Sequence, residues 1–477
     1  MRTLSLALRN LARNRRRSLA TLLAVVVGLN AVLLFGGYRN NVTYGLQTDY
    51  VRYNGHLQIQ HKDYFLYGTG NPAAYGIADY QHIIDVVERD PVLAPMLTVV
   101  TPKLQLGGIA GNFAAGVSRT VFGVGVVAAD QARLRRWNDY GFPGGPPSIP
   151  LLGTPADAAV IGTGVARVLQ LCAPLHVANC PQTTTVKTAE GPAAPADIAA
   201  LSAQALSADD VSSDDTPGDR ATATAPRGAA QIELLAASAG GAPNVAELHV
   251  VEAKNQGVKE LDDMFVGLHL AQAQRLVYGN AEPQATAIVL QLQHTDQIAA
   301  AMARIEHLLA TTLEGEPLEV LDFRTLDPFY DQVLTMFGAI FGFIFVLIDV
   351  IVLFTIGNTM SMAVVERTAE IGTLRAMGLR RAGVRRLFVT EGALLGLFGA
   401  VLGVVIAVLV AAGINHSGLM WSPPGRVEPV PLIIRVWGEW HMIAVSAAVL
   451  VAVAVVSAWI PARRAAALDV VDALRQV

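Results

Sequence analysis

The sequence has few charged residues. Asp, Glu, Lys and Arg make up 16% of its 477 residues, whereas soluble globular proteins carry about 25%. Apolar residues reach 52%, and the mean hydropathy is +0.42. This composition argues against a soluble enzyme. It also excludes a collagen-like or wholly disordered chain, because those chains have too little apolar surface to bury.

The sequence also lacks catalytic and nucleotide-binding motifs. It contains no H-E-x-x-H and no G-x-S-x-G, and Gly162 to Arg167 has only two of the three glycines of a dinucleotide loop. A Walker A loop needs a glycine before its lysine, and none of the lysines follows one: Lys62, Lys103, Lys187, Lys254 and Lys259. We therefore predict a non-catalytic chain with no catalytic, metal or cofactor site of its own.

Four long runs of apolar residues contain almost no charged residues. They predict membrane-spanning helices at 18–38, 333–365, 387–414 and 442–462, since a bilayer core needs roughly 20 apolar residues as helix. The first run has a basic start but no small-residue cleavage site at its end, so we interpret it as an uncleaved anchor rather than a signal peptide. Asp349 is the one acid deep inside a run. An intramembrane acid indicates function, and a hydrogen bond to a neighbouring span or across a dimer is the alternative that we favour.

Arginines cluster in three short stretches, at 1–17, 366–386 and 463–477. The positive-inside rule places these stretches in the cytoplasm, with segments 39–332 and 415–441 outside. Residues 1–17 also repeat arginine and leucine on separate helical faces, which predicts an amphipathic helix at the membrane surface. Segment 39–332 is acidic, so nucleic acid is not expected as a partner.

Short strands mixed with helices, including a helix predicted from Leu268 to Leu276, predict an α+β domain in segment 39–332. Residues 182–245 are rich in Ala, Thr, Ser, Pro and Asp, and we predict a flexible insertion there. The only cysteines, Cys172 and Cys180, lie eight residues apart. In an oxidising compartment they can form a local disulfide, and two free thiols are the alternative.

The stretch from Glu366 to Gly378 separates two apolar runs and carries the clearest pattern. On a helix, Ile371, Leu374 and Gly378 share a small apolar face, while Gly372 and Gly378 allow a close approach. The charged residues around this face are Glu366, Arg367, Glu370 and Arg375. Such a helix is suited to a groove of a cytoplasmic partner, although an ordinary solvated loop has the same charges. Glu391, at the start of the third run, is predicted to form an interfacial ion pair.

This stretch reads E-R-T-x-E-I-G-x-L-R-A-x-G and resembles the signature of FtsX-like permeases, the family of MacB-type ABC transporter permeases and lipoprotein-releasing permeases. Three further stretches resemble the family, at 8–17, 391–399 and 461–475. The resemblance covers the membrane part and its order of four spans with one large domain between the first two. The opening of that domain, Gly55 to Tyr64, is closer to the lipoprotein-releasing branch.

The resemblance implies a permease subunit in a bacterial inner membrane, with both termini cytoplasmic. Two permease chains, identical or different, would pair with two ATPase chains that bind ATP and Mg²⁺. Residues 366–378 would be the coupling helix seated in the ATPase, and the second span would extend outward as a stalk. The cargo would be a lipoprotein, a lipid or another amphiphile. Two alternatives remain, namely a regulator of a periplasmic cell-wall hydrolase that transports nothing and a membrane-anchored receptor without an ATPase.

Overall fold

A computed structural model gives the fold of the chain. It describes residues 2–13, 15–142, 148–178, 180, 230–313, 315, 317–421 and 429–467. Most of the predicted insertion and the end of the predicted C-terminal tail therefore lie outside the described residues. The chain starts with a helix, Arg2–Arg13, which we call the arm helix and which coincides with most of the predicted amphipathic segment.

Four helices are long and apolar enough to cross a membrane, as expected for a membrane protein. We call them spanning helices 1 to 4, and their bounds are Arg15–Asn54, Pro328–Glu366, Arg381–Ser417 and Trp440–Ala467. Each contains a predicted span and continues beyond it. The largest difference is in spanning helix 1, which continues to Asn54 instead of ending at residue 38, because hydropathy marks only the apolar part of a helix.

Small residues let the spanning helices pack closely. A side chain at Gly392 of spanning helix 3 would place its Cβ 2.4 Å from the Cβ of Ala458 on spanning helix 4. On another face, a Cβ at Gly399 would lie 2.4 Å from a methyl group of Val25 on spanning helix 1. Such close approach of backbones is the usual basis of helix association in membranes. Spanning helix 3 therefore packs closely against spanning helices 1 and 4, while most of spanning helix 2 is exposed.

A domain of residues 55–327, which we call the inserted domain, separates spanning helices 1 and 2. Its strands are β1 (Leu57–His61), β2 (Leu97–Asn112), β3 (Val117–Val126), β4 (Ala158–Gly162), β5 (Ala230–Ala237), β6 (Pro243–Lys254), β7 (Phe265–His269), β8 (Ala287–Leu292) and β9 (Leu318–Asp322). Its helices are Tyr64–Tyr67, Tyr80–Arg89, Ala128–Leu134, Thr163–Val168, Lys259–Asp262, Leu270–Tyr278, Ile298–Thr311 and Phe323–Leu326. The predicted α+β composition is thus observed.

The nine strands form one sheet, and the long strand β2 belongs to both of its parts. Around one side, the pairings β2–β3–β7–β4–β6–β5–β2 close into a barrel with its own apolar core. On the other side, β2–β8–β1–β9 form an open antiparallel sheet. Residues of the helices Tyr80–Arg89 and Ile298–Thr311 share an apolar core with this open sheet. A small separate hairpin pairs Met420–Trp421 with Val430–Pro431 between spanning helices 3 and 4.

Two parts of the prediction for this domain need correction. The insertion was expected to reach residue 245, but β5 and the start of β6 occupy 230–245. Alternation of Ile232, Leu234 and Ala236 toward the barrel core explains why this alanine-rich stretch forms a strand. The second correction concerns Leu268, which was predicted to begin a helix and instead belongs to β7.

Candidate functional site

We call residues 366–378 the coupling segment, and its helix is shorter than predicted. Spanning helix 2 ends at Glu366, Arg367 interrupts the helical conformation with φ −104° and ψ 17°, and the new helix is Thr368–Ala376. Gly378 has φ +97°. Its N–H donates to the Arg375 carbonyl, and the Leu379 N–H donates to the Leu374 carbonyl, each at 3.0 Å. These two bonds form a Schellman motif, which ends the helix. The motif requires a positive φ at residue 378, and glycine adopts this conformation readily.

A buried ion pair fixes the start of the coupling segment. Nη1 of Arg367 donates to both Glu391 carboxylate oxygens, at 3.1 and 3.3 Å, and the two side chains are only 8% and 3% exposed. Nδ2 of Asn10 on the arm helix donates to the same carboxylate at 2.6 Å. Glu391 thus forms an ion pair as predicted, but the pair is buried inside the protein instead of lying at the membrane interface. Because a buried charge is costly without its partner, these three residues lock the arm helix, the coupling segment and spanning helix 3 together.

The two acids of the coupling segment pair with the chain itself. Nη2 of Arg13 donates to both oxygens of Glu370, at 2.6 and 2.8 Å, between side chains that are about half exposed. Arg17 at the start of spanning helix 1 donates to Glu366. Pairs as exposed as the first contribute little to stability. They orient the segment, however, and they leave neither carboxylate free for a partner in this conformation.

The predicted docking residues therefore divide into an inner and an outer group. Ile371 and Gly372 are buried, and Ile371 belongs to the core of the bundle. Leu374 and Arg375 are half-buried, while Gly378 is exposed. Two residues outside the predicted face, Met377 and Leu379, are 72% and 38% exposed. Leu374, Met377 and Gly378 also have helical spacing, which indicates this exposed surface. The predicted face of Ile371, Leu374 and Gly378 left Met377 out.

We call Leu374, Met377, Gly378 and Leu379 the tip of the coupling segment. It projects next to a basic start of spanning helix 3, where the exposed arginines are Arg380, Arg381, Arg385 and Arg386. The tip is apolar, ends in a fixed turn and belongs to a segment that is anchored at its other end. This arrangement is suited to insertion of an apolar knob into a partner's groove.

At its other end, spanning helix 1 meets the inserted domain and the loop before spanning helix 4. The rings of Tyr44 and Tyr140 stack with centroids 4.2 Å apart, and the Tyr140 hydroxyl donates to Gln47 at 2.9 Å. Arg435 donates to the Tyr140 carbonyl at 2.6 Å. Burial lowers the pKa of Arg435 from its usual value. We call these four residues the joint, because they connect the bundle to the inserted domain.

Two histidines lie beside the joint in opposite environments. His56 is fully buried; its Nδ1 accepts from the Leu292 N–H at 3.0 Å, and burial lowers its pKa to about 4. His294 is at the surface, and its hydrogen bond to Asp139 at 2.7 Å raises its pKa. His56 is therefore neutral at ordinary pH, whereas His294 gains a proton more readily than a free histidine.

Asp349 and the cysteines complete the predicted residues. Asp349 is half-buried on spanning helix 2, and within the described ranges it has no hydrogen-bond or ion-pair partner. Cys172 and Cys180 form a disulfide with their Cα atoms 6.3 Å apart. The described part of the chain contains no group of His, Cys, Asp and Glu residues that could hold a metal ion.

Comparisons with known proteins show what part of the chain is similar to. Residues 340–470 match the family described as FtsX-like permease C-terminal. An uncharacterized ABC transporter permease of Methanocaldococcus jannaschii is 27% identical over 48% of this chain and 55% of its own length. The lipoprotein-releasing system transmembrane protein LolC of Neisseria meningitidis is 28% identical over 37% of this chain and 41% of its own length.

A third match covers a shorter part of the chain. The macrolide export ATP-binding/permease protein MacB of Rhodopirellula baltica is 34% identical over 25% of this chain and 15% of its own length. The chain thus aligns with about half or less of the length of these relatives. The predicted resemblance to FtsX-like and MacB-type ABC transporter permeases is confirmed, and the family match covers residues 340–470.

Proposed function

Residues 340–470 form an FtsX-like permease domain, and from this premise we propose that the chain is the membrane subunit of an ABC transporter in a bacterial inner membrane. A separate ATPase pair binds ATP and Mg²⁺, and this chain performs no catalysis. Its cargo is a lipoprotein, a lipid or another amphiphile. Relatives named for lipoprotein release and for macrolide export support transport as the output.

The distribution of arginines supports an orientation with the coupling segment in the cytoplasm. The arm helix contacts the coupling segment through Arg13 and Asn10, so both basic elements lie at one end of the bundle. The inserted domain joins the bundle at the other end, through the joint. The positive-inside rule then assigns the coupling end to the cytoplasm and the inserted domain to the periplasm.

The anchored coupling segment is the single observation that carries the proposal. Its start is locked by Arg367 and Glu391, and its tip is exposed and apolar. A displacement of the tip by a nucleotide-driven partner would therefore move the bundle with it. Spanning helix 2 runs without interruption from Glu366 to Pro328, where the Asp327 side chain caps it by accepting from the Tyr330 N–H at 3.3 Å. This helix provides a continuous path to the inserted domain.

Asp349 supports pairing with a second permease chain. Spanning helix 2 exposes large apolar side chains on both sides of this residue, including Val346 and Val350, which are 61% and 45% exposed. An acid in a membrane span normally faces protein or water rather than lipid. A second chain packed against this face would supply the polar surroundings that the described part of the chain does not.

Substitution at the tip tests the proposed docking. We expect Met377→Glu to remove co-purification of the ATPase while the chain still inserts and folds, because the change places a charge in an apolar contact. The matched control is Ala369→Glu on the first turn of the same helix, which should leave co-purification intact. Unchanged recovery of the ATPase with Met377→Glu would contradict the docking site. Recovery of no ATPase with the unmodified chain would instead favour the membrane-anchored receptor.

A reconstitution separates transport from regulation. Vesicles that contain the chain, its ATPase and a labelled lipoprotein should release the lipoprotein when ATP is added. The matched control replaces ATP by a non-hydrolysable analogue. If no cargo moves and a cell-wall hydrolase is activated instead, transport is wrong and the FtsX-type regulator is the function.

A further inference from the structure

One face of the barrel exposes a continuous apolar row. Ile109 on β2 pairs with Leu235 on β5, and Leu235 pairs with Val245 on β6, so the three residues are direct cross-strand neighbours. Their exposed fractions are 44%, 37% and 53%. The adjacent Ala110 and Leu234 are fully buried in the barrel core, which shows that the row points outward. We call Ile109, Leu235 and Val245 the apolar row.

Two acids border the apolar row on one side. Glu233 and Glu247 are the next outward positions on β5 and β6, and they are directly paired in the register. Like charges directly opposite each other on neighbouring strands are destabilising. Within the described residues neither carboxylate has a hydrogen-bond or ion-pair partner. Among the described residues nothing offsets this repulsion, and a cationic side chain of a partner would do so.

Small residues border the row on its other side. Ala237 pairs with Pro243 at the next outward position, and a Cβ at Gly107 on β2 would meet nothing within 4 Å. No long side chain projects from these positions, so they leave space for a helix to approach the apolar row.

The spacing of the row selects a helical partner. Neighbouring strands lie about 4.8 Å apart, which is close to the 5.4 Å rise of one helical turn. Side chains at i, i+4 and i+7 of a helix laid across the strands would therefore meet the three apolar residues in turn. In an extended chain, side chains on the same face are about 6.8 Å apart, so they would not match the spacing of the three apolar residues.

We propose that this face of the barrel binds an amphipathic α-helix with a basic edge, contributed by a second protein. The apolar stripe of the helix covers Ile109, Leu235 and Val245, and its lysines or arginines pair with Glu233 and Glu247. An anionic membrane surface is disfavoured as the occupant because these two acids would face it. The proposal does not depend on the coupling segment.

A designed peptide tests the proposal with the full-length chain in nanodiscs of zwitterionic lipid. The probe is a fluorescent peptide of about 18 residues, with leucines at i, i+4 and i+7 and lysines along one edge; it is long enough to form a helix. The comparison peptide has glutamates in place of the lysines. Fluorescence anisotropy, corrected for binding to empty nanodiscs, should detect binding of the basic peptide alone.

Variants assign the binding to this face. Ile109→Ser with Leu235→Ser should weaken binding at least about tenfold, whereas Val258→Ser, at an equally exposed valine elsewhere in the inserted domain, should have no effect. Glu233→Gln with Glu247→Gln should weaken binding about fivefold while leaving the melting temperature equal or higher, because repulsion is removed. A purely structural role for the acids would lower the melting temperature instead.

Several results would overturn the proposal. These are equal binding of both peptides, binding that is insensitive to the serine or glutamine changes, and preferential binding of vesicles with anionic lipid. Self-association of the chain that Leu235→Ser removes would identify a second copy as the occupant and also overturn it. Co-purification of an ATPase through the coupling tip should be the same in all of these variants, so failure here is distinct from failure of the proposed function.

Discussion

The two ends of spanning helix 1 are held by different chemistry. At the coupling end, charges dominate, with Arg17 paired to Glu366 and the buried Arg367–Glu391 pair beside it. At the joint, the contacts are a stacked pair of tyrosines, a neutral hydrogen bond from Tyr140 to Gln47, and Arg435. This arginine donates to the Tyr140 carbonyl and lies over an aromatic ring at 4.3 Å, and among the described residues no carboxylate pairs with it there. A buried ion pair is costly to open, whereas stacked rings tolerate small shifts.

This difference predicts that the coupling end is rigid and that the joint is the more deformable of the two. We expect the coupling end to move as one body with the arm helix and spanning helix 3, because Asn10, Arg367 and Glu391 hold these elements together. We expect the joint to yield before the coupling end does, because it lacks a buried ion pair. We therefore expect motion received at the coupling segment to appear as reorientation of the inserted domain about Tyr140 and its neighbours.

Breaking the buried ion pair should have the largest effect. Glu391→Ala leaves the Arg367 charge buried without its partner, and we expect a loss of about 3–5 kcal/mol in the free energy of unfolding. The measurement is thermal and denaturant unfolding in detergent. The double variant Arg367→Met with Glu391→Leu, which removes both charges, should lose much less. Equal losses in the single and double variants would contradict a buried, coupled pair.

Acidification should weaken the part of the inserted domain around His56. The pKa of His56 is lowered to about 4 by burial, so the unfolded state binds the proton more readily. The stabilisation from neutral His56 is complete above its ordinary pKa of 6.5 and is lost as pH falls toward 4, by about 3 kcal/mol. Hydrogen exchange of residues 134–142 should rise over this range, because Trp137 packs against His56 and the Leu292 N–H donates to it. His56→Asn should reduce the pH dependence; an unchanged profile would exclude His56 as its cause.

Removing the tyrosine stack should have a moderate effect. Tyr140→Ala loses the ring contact with Tyr44 and the hydrogen bond to Gln47, which together contribute about 2 kcal/mol. Tyr140→Phe keeps the ring and should lose about 1 kcal/mol. Both variants should bind the ATPase normally, and the alanine variant should uncouple ATP hydrolysis from cargo release. Impaired ATPase binding in either variant would show that the two ends are not mechanically separate.

The sequence predicted the membrane part better than the inserted domain for physical reasons. Hydropathy alone locates the apolar part of each spanning helix, and β1, β8 and β9 follow from clear local patterns. Strand β5 was missed because its alanine-rich composition resembles the insertion before it. Closure of the barrel through β2 depends on pairings between distant residues, and no local pattern records them.

The coupling segment shows the same limit at the level of single residues. Its position and charge pattern were predicted, but Ile371 is used by the bundle core rather than exposed. The partners of Glu370 and Glu391 include Arg13 and Asn10, which lie 357 and 381 residues away in sequence. Spacing within one helix cannot indicate which of its faces a distant segment will cover. The exposed tip at Met377 therefore emerged only from the folded chain.

The side of the membrane on which the coupling tip lies is the most direct test of this account. Met377→Cys and Leu152→Cys place single reactive thiols on exposed positions of the coupling segment and the inserted domain, since Cys172 and Cys180 are bonded to each other. In cells with a permeabilised outer membrane, an impermeant maleimide should label residue 152 at once. It should label residue 377 only after the inner membrane is opened. Labelling of residue 377 in intact inner membranes would contradict the account.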